Sequence, residues 1–340
     1  MRRIHHFFLV GVAVILLVGL GGFLFVRQQF EAPPNRLSLD RAEGTIPFEW
    51  TEDDYGGVRE PHSSMLITVR FGDQKKLFRM QFDLGAVSSV FYSGPLEAMA
   101  QRHGGVRIVE EGKRRYVENV TVTSGDLIVG FASARLVKTD SAAIDWEKDD
   151  APLIGTLGSD LLEGRVLMID YPGRSIRVLR EVPAAVAHRS SSMFRYAQRR
   201  ILLAAAFEGD DTQLMFDTGS SAFPLLTDEA NWLRLSGGKN RRTFGVNSWG
   251  KTLTAHVADT PAHITLGGQV LPLRQVCYIE GASTMQNLLM RFSGMGGMTG
   301  NKLFLDKLLI LDARESRYWL LDRSPDRAPG SVAASLLGIH

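Results

Sequence analysis

The chain has 340 residues, of which 44% are hydrophobic and 22% charged, and its formal net charge is +2. These proportions are those of a globular protein with room for two domains, and they exclude a disordered chain. The balanced charge, with no stripe of interleaved aromatic and basic residues, excludes a nucleic-acid-binding surface of the usual kind. A single cysteine, Cys277, excludes an intramolecular disulfide.

The first predicted element is apolar. Residues 7–26 contain no charged side chain, and twenty helical residues reach about 30 Å, enough to cross a bilayer core. Arg2 and Arg3 precede them, so residues 1–6 are expected in the cytoplasm and residues 7–26 as an uncleaved signal anchor. A cleavable signal peptide would show a shorter apolar region and a small-x-small site; Arg27-Gln28-Gln29-Phe30 offers none. The expectation is a single-pass inner (plasma) membrane protein whose body is extracytoplasmic, in the periplasm if the source is bacterial. Residues 27–62 hold Pro33-Pro34 and several charges and read as a stalk, ending in a strand near residues 46–48.

Short strand-like runs follow. Residues 65–69, a turn at Gly72-Asp73 and residues 77–82 form the first hairpin. A short helix is expected over 95–103, then a hairpin of 106–110 and 116–122 around Glu111-Gly112-Lys113, then a strand over 127–137. After a polar, Ala-rich connection at 181–198 the order repeats. Strands at 201–207 and 213–216 flank a turn at 209–211, a helix covers 227–235, and a hairpin turns at Asn247-Ser248-Trp249-Gly250.

The repeat is sharpest at two turns. Phe82-Asp83-Leu84-Gly85-Ala86 and Phe216-Asp217-Thr218-Gly219-Ser220 each end an apolar run. Downstream, Leu153-Ile154-Gly155-Thr156-Leu157-Gly158 corresponds to Met295-Gly296-Gly297-Met298-Thr299-Gly300, so that Gly155 matches Gly297 and Gly158 matches Gly300. Asp170 and Asp312 each lie twelve residues beyond the second glycine, and each precedes a turn and a closing apolar strand. One Asp-Thr-Gly-Ser string is an ordinary β-turn. Two such turns inside a domain-length duplication describe two fused lobes.

At these residues the chain resembles the aspartic peptidases of the pepsin and retropepsin type, over roughly residues 63–323. Phe216-Asp217-Thr218-Gly219-Ser220-Ser221 carries the family's apolar-Asp-Thr-Gly-Ser signature throughout. The resemblance implies an all-β fold of two similar β-barrel lobes with short helices: lobe 1 over 63–180, lobe 2 over 199–323, and a tail over 324–340. It implies a catalytic pair, Asp83 and Asp217, that activates water against an extended polypeptide. Gly85, Thr218, Gly219, Ser220, Gly155 and Gly297 would support the pair, and flap hairpins would bring Tyr116 and Trp249 over the cleft. No cofactor and no metal are implied, and a monomer with pseudo-twofold lobes is expected. Lobe 1 departs from the signature at Leu84, where the family has a hydroxyl that braces the opposite turn.

Three functions fit this pattern: a membrane-anchored aspartic endopeptidase, an inactive tethered peptide-binding module of the same fold, and a homodimeric peptidase using Asp217 alone. Other chemistries find no support. Cys277 lies in an apolar run and reads as a small buried hydrophobe. The eight histidines are scattered without metal-ligand spacing, and Gly294 to Gly300 lacks the Lys and Ser/Thr of a phosphate loop. The basic residues at 113–115, 239 and 241–242 read as solvated turns.

Overall fold

A computed structural model describes residues 31–55, 57–139, 144–248, 251–280 and 295–323. The compact body starts at Asn35. Its first half contains β1 (Leu37–Leu39), β2 (Gly44–Pro47), β3 (Glu49–Asp54), β4 (Arg59–Phe71), β5 (Leu77–Phe82), β6 (Val90–Tyr92), α1 (Ser93–His103), β7 (Arg107–Glu111), β8 (Arg114–Ser124), β9 (Leu127–Val137), β10 (Leu153–Leu157), β11 (Val166–Asp170) and β12 (Ser175–Leu179). The second half contains α2 (Ala184–Ala187), β13 (Ser192–Ala197), β14 (Arg200–Phe207), β15 (Asp210–Phe216), α3 (Glu229–Ser236), β16 (Arg242–Ser248), β17 (Lys251–Leu266), β18 (Gln269–Glu280), β19 (Met295–Thr299), β20 (Lys307–Asp312) and β21 (Arg317–Asp322). The body is therefore bilobal and mostly β, as the sequence suggested.

Alternation makes the lobe strands. In β5, Phe78, Met80 and Phe82 are fully buried, while Leu77 is exposed, the period-2 pattern of a sheet with one face on the core. The strands β11 and β20 are buried at every position. They lie inside a second sheet shared by both halves, in the antiparallel order β13-β21-β20-β11-β12-β2. At its centre, β11 and β20 pair Val166 with Asp312, Met168 with Ile310 and Asp170 with Leu308. Met168 and Ile310 occupy equivalent places in the two repeats, so the pseudo-twofold axis passes through that pair.

Each lobe also contains a parallel rung. In lobe 1, β10 runs parallel to β5 with Gly155 opposite Met80 and Leu157 opposite Phe82. In lobe 2, β19 runs parallel to β15 with Gly297 opposite Leu214 and Thr299 opposite Phe216. The register is the same in both. Both glycines are needed for close approach: a Cβ at Gly155 would collide with the carbonyl of Val90, and one at Gly297 with the carbonyl of Leu226.

The structure corrects two boundaries. From Leu37 on, the expected stalk is part of the fold: β2 pairs with β12, β3 pairs with β4, and Ile46 and Phe48 are in the core. The strand expected near residues 46–48 is β2, while β1 and β3 are too short or too polar to show the periodicity that marks a strand in sequence. The expected linker, residues 181–198, contains α2 and β13, and β13 pairs with β21 as β2 pairs with β12, then continues into a hairpin with β14. Residues 7–26, the tail 324–340 and Trp249 lie outside the described residues. Among the described residues, no helix is long and apolar enough to cross a membrane.

Gly155→Ala is expected to lower stability by about 1–3 kcal/mol, the usual cost of forcing an atom into a packed site. Urea denaturation measures it, and an unchanged midpoint would show that the β10–β6 contact yields freely.

Candidate active site

Asp83 and Asp217 follow directly from the buried ends of β5 and β15, and the parallel rung extends one step to hold each. Asp83 N–H donates to the Leu157 carbonyl at 3.0 Å, and Asp217 N–H to the Thr299 carbonyl at 3.0 Å. Each turn then closes on itself. Gly85 N–H donates to Asp83 Oδ1 at 2.8 Å, and Gly219 N–H to Asp217 Oδ1 at 2.8 Å. Ala86 N–H donates to the Asp83 carbonyl at 3.2 Å, and Ser220 N–H to the Asp217 carbonyl at 3.1 Å.

The two turns face each other. A Cβ at Gly219 would stand 2.6 Å from Asp83 Oδ2, and one at Gly85 would collide with the Asp217 carboxyl. Each glycine therefore leaves room for the opposite carboxyl, which is why a side chain is excluded at both. The two carboxyls therefore stand close to one another, each beside the other turn's glycine. Both residues keep some exposed surface, so the pair is open on one side. Enclosure by the turns raises the pKa of Asp217 well above the usual carboxylate value. The Asp83 charge and hydrogen bond add to the rise, while the Gly219 and Gly85 N–H groups oppose it.

Thr218 braces the turns across the lobes. Its hydroxyl accepts from Leu84 N–H at 2.8 Å and donates to the Phe82 carbonyl at 3.1 Å. The reciprocal bond from lobe 1 has no hydroxyl to make it, because Leu84 is fully buried in the core instead. Behind the turns, Gly158 and Gly300 allow the chain to pass: a Cβ at Gly158 would lie 2.7 Å from the Ala86 carbonyl oxygen, and one at Gly300 would collide with that of Ser220. Ser220 contributes through its backbone.

Asp83, Asp217, Gly85, Gly219, Thr218, Ser220, Gly155 and Gly297 thus come together at one place. Tyr116 does not join them. It sits on β8 opposite Val109 and Arg135, and among the described residues no ring contact or hydrogen bond links it to either aspartate. A tyrosine that sequence reasoning passed over lies nearer. Tyr92 bonds Thr156 Oγ1 at 3.0 Å, and burial, with the Asp83 charge adding, raises its pKa. Its only sequence signal is its place after an apolar run, which many core residues share.

Asp160 was also passed over as a site residue. It accepts from Ser89 N at 2.8 Å and Ser89 Oγ at 2.7 Å, clamping the segment after Asp83. Asp170 and Asp312 close tight turns, accepting from Gly173 N–H at 2.8 Å and Arg314 N–H at 2.9 Å. Cys277 is buried, and burial pushes its thiol pKa up, away from a reactive thiolate. Among the described residues, no group of three or more His, Cys, Asp or Glu is placed to hold a metal.

No family model matches the chain, and no curated protein does. Among solved structures it is similar to the aspartic proteinase from Irpex lacteus, with a TM-score of 0.44 and 12% identity over 85% of this chain and 100% of that one.

The raised pKa of Asp217 has a consequence for stability. The folded state keeps a proton that the unfolded chain releases near the ordinary carboxylate pKa of about 3.9. This contribution is therefore fully present below that pH and lost as pH rises through the folded pKa. Asp217→Asn removes the penalty, so its melting temperature should exceed that of the wild type by a margin that widens from acid to neutral pH. Thermal melts of both proteins across pH measure this, and a constant difference would refute the shared-proton assignment.

Proposed function

We propose that this chain is an aspartic endopeptidase with Asp83 and Asp217 as its catalytic pair. The observation that carries the reading is the pair of carboxyls, brought together from two equivalent turns and each accommodated by the other turn's glycine. The pair holds one proton between its two carboxyls, and we assign the acid role to Asp217, whose pKa is raised by burial and by the Asp83 charge, and the base role to Asp83. Asp83 takes a proton from a water molecule as its oxygen attacks the scissile carbonyl carbon, and Asp217 gives its proton to the carbonyl oxygen. Collapse of the resulting diol breaks the C–N bond, and a proton passes to the leaving nitrogen. The chemistry is complete with two carboxyls and water.

Two other readings remain as outcomes of the test. The missing hydroxyl at Leu84 favours a peptide-binding module without turnover. The homodimer reading loses its motive, because one chain already brings two carboxyls together.

A peptide-library digest from acid to neutral pH, with and without pepstatin, should show cleavage that pepstatin stops and chelators do not. Asp217→Asn and Asp83→Asn should each lose about 10²–10⁴-fold in turnover, the usual share of a general acid or base. Pepstatin binding without cleavage would establish the binding module. Full activity in Asp83→Asn beside a dead Asp217→Asn would establish the homodimer.

We also propose that residues 7–26 anchor the chain in the inner membrane with the body outside the cytoplasm, on the strength of their uncharged length and the preceding Arg2 and Arg3. The full chain should stay with membranes through a carbonate wash, and protease added from the outer face should reach the body. Protection from that protease would reverse the orientation.

A further inference from the structure

Behind the two aspartate turns, the lobes reach into one another in a nearly symmetric way. Tyr171, just past β11, donates to Asn301 Oδ1 of lobe 2 at 2.8 Å, and Asn301 Nδ2 donates on to the Thr218 carbonyl at 2.8 Å. Tyr196, on β13, donates to the Ser159 carbonyl of lobe 1 at 2.5 Å. Ser159 and Asn301 are equivalent residues, each following the second conserved-spacing glycine. Their side chains then behave differently. Asn301 reaches its own lobe's turn, whereas Ser159 Oγ turns away and donates to the Arg199 carbonyl at 2.6 Å.

Arg199 occupies the place this leaves. It sits between β13 and β14 in a two-residue turn, with φ of 50° at Gln198 and 59° at Arg199. Such turns favour Asn and Gly, and neither Gln nor Arg is suited to them. The Arg199 side chain is nonetheless only 5% exposed. Its guanidinium holds Glu163 Oε2 through Nε at 3.2 Å and Nη2 at 3.1 Å. Nη1 donates to the Val87 carbonyl at 3.3 Å and lies 3.5 Å from Ser88 Oγ. Val87 and Ser88 directly follow the Asp83 turn, and the next residue, Ser89, is clamped by Asp160. A buried arginine in a strained turn of lobe 2 therefore grips the backbone that leads away from the lobe 1 carboxylate.

We infer that Arg199 is a positioning residue that fixes the Asp83 turn from the opposite lobe, supplying the cross-lobe restraint that Leu84, without a hydroxyl, cannot. The inference rests on the reading of Asp83 and Asp217 as a pair. The forked guanidinium is what allows one side chain to hold a carboxylate and a carbonyl together; a lysine ammonium in its place would keep the first and release the second.

The test uses the full chain and three substitutions: Arg199→Lys, Arg199→Met and Leu84→Thr. Arg199→Met should lower kcat by about tenfold with KM little changed, as small misplacements of a catalytic group do. Arg199→Lys should lose kcat to a similar extent while its melting temperature stays near that of the wild type. In a Leu84→Thr background, where the turn regains a hydroxyl, the same Arg199→Met change should cost less than about threefold, because the two restraints overlap. Equal losses in both backgrounds, or a lower melting temperature with unchanged kcat, would overturn the inference.

A second readout does not need turnover. Carboxyl carbon-13 titration should show the raised midpoint of the aspartate pair falling in both Arg199 variants, because a looser turn weakens the mutual influence of the carboxyls. It should recover when Leu84→Thr is added. Two other titrating groups lie near the Asp83 turn and are followed as separate resonances: Tyr92, and Asp160, whose pKa burial raises and which the Ser89 bonds and the Arg199 charge hold down, so its own midpoint rises when Arg199 is lost. An unmoved midpoint would refute the role of Arg199. A raised midpoint in a wild-type chain that cleaves no peptide would refute the peptidase reading and leave the role of Arg199 standing.

Discussion

Two carboxyl groups within hydrogen-bond reach of each other, partly withdrawn from water, would repel strongly if both were ionised. Burial and the Asp83 charge raise the pKa of Asp217, which favours keeping a proton on the pair, and backbone N–H groups face the charge that remains. Asp83 Oδ1 accepts from Gly85 N–H and Asp217 Oδ1 from Gly219 N–H, both at 2.8 Å. Those bonds require a tight turn directly after a strand, and a tight turn this close to its mate requires glycine. The parallel pairings of β5 with β10 and of β15 with β19 set where each strand ends. Gly155 and Gly297 let those strands lie close to the segments behind them. The sheet geometry of each lobe thus follows from where its carboxyl must stand.

The shared sheet fixes the relation between the lobes. Its central strands are buried along their whole length and pair symmetrically about Met168 and Ile310. A fully buried antiparallel pair has little freedom to slip, since a shift of one residue would reverse every side chain. The axis that relates the two halves is therefore set in the core, far along the chain from the aspartates. β2 on β12 and β13 on β21 extend the same symmetry outward from the central pair. The segments that link the lobes to what precedes them are structural members for that reason.

Much of this was legible in the sequence because two signals agreed. Alternation marked β5 and β9 to their end residues, and the repeated order of Asp83 with Gly155 and of Asp217 with Gly297 identified the residues that meet. What escaped were elements whose role lies in pairing alone. The strands β1 and β3 are too short or too polar to show a period, and β13 lies in a stretch that reads as a connection, whereas β2 was expected as a strand near residues 46–48. The resemblance implied a flap carrying Tyr116, but the place of a hairpin in the chain does not tell which way a strand residue points. Asp160 and Arg199 carry no local pattern that marks them, and Tyr92 only a place after an apolar run that many core residues share. Their partners, Thr156, Ser89 and Glu163, are remote in sequence, and only the fold brings them together.

The duplication also shows where two copies of one design have parted. On the lobe 2 side, the Thr218 hydroxyl makes both of its cross-lobe bonds, and Asn301 ties the turn to Tyr171 of the other half. On the lobe 1 side, Leu84 adds apolar burial to the core and gives up the corresponding bond. A buried leucine stabilises its own lobe by roughly 1.5–3 kcal/mol, but it has no direction and cannot hold a carboxylate in register. A hydrogen bond contributes less, about 0.5–1.5 kcal/mol, yet it fixes position. Lobe 1 therefore gains stability and loses specification at its turn. The ion pair of Arg199 with Glu163, and its bond to the Val87 carbonyl, provide a directional contact at that point from the other lobe. The two halves remain symmetric in backbone and have become asymmetric in how each carboxyl is held.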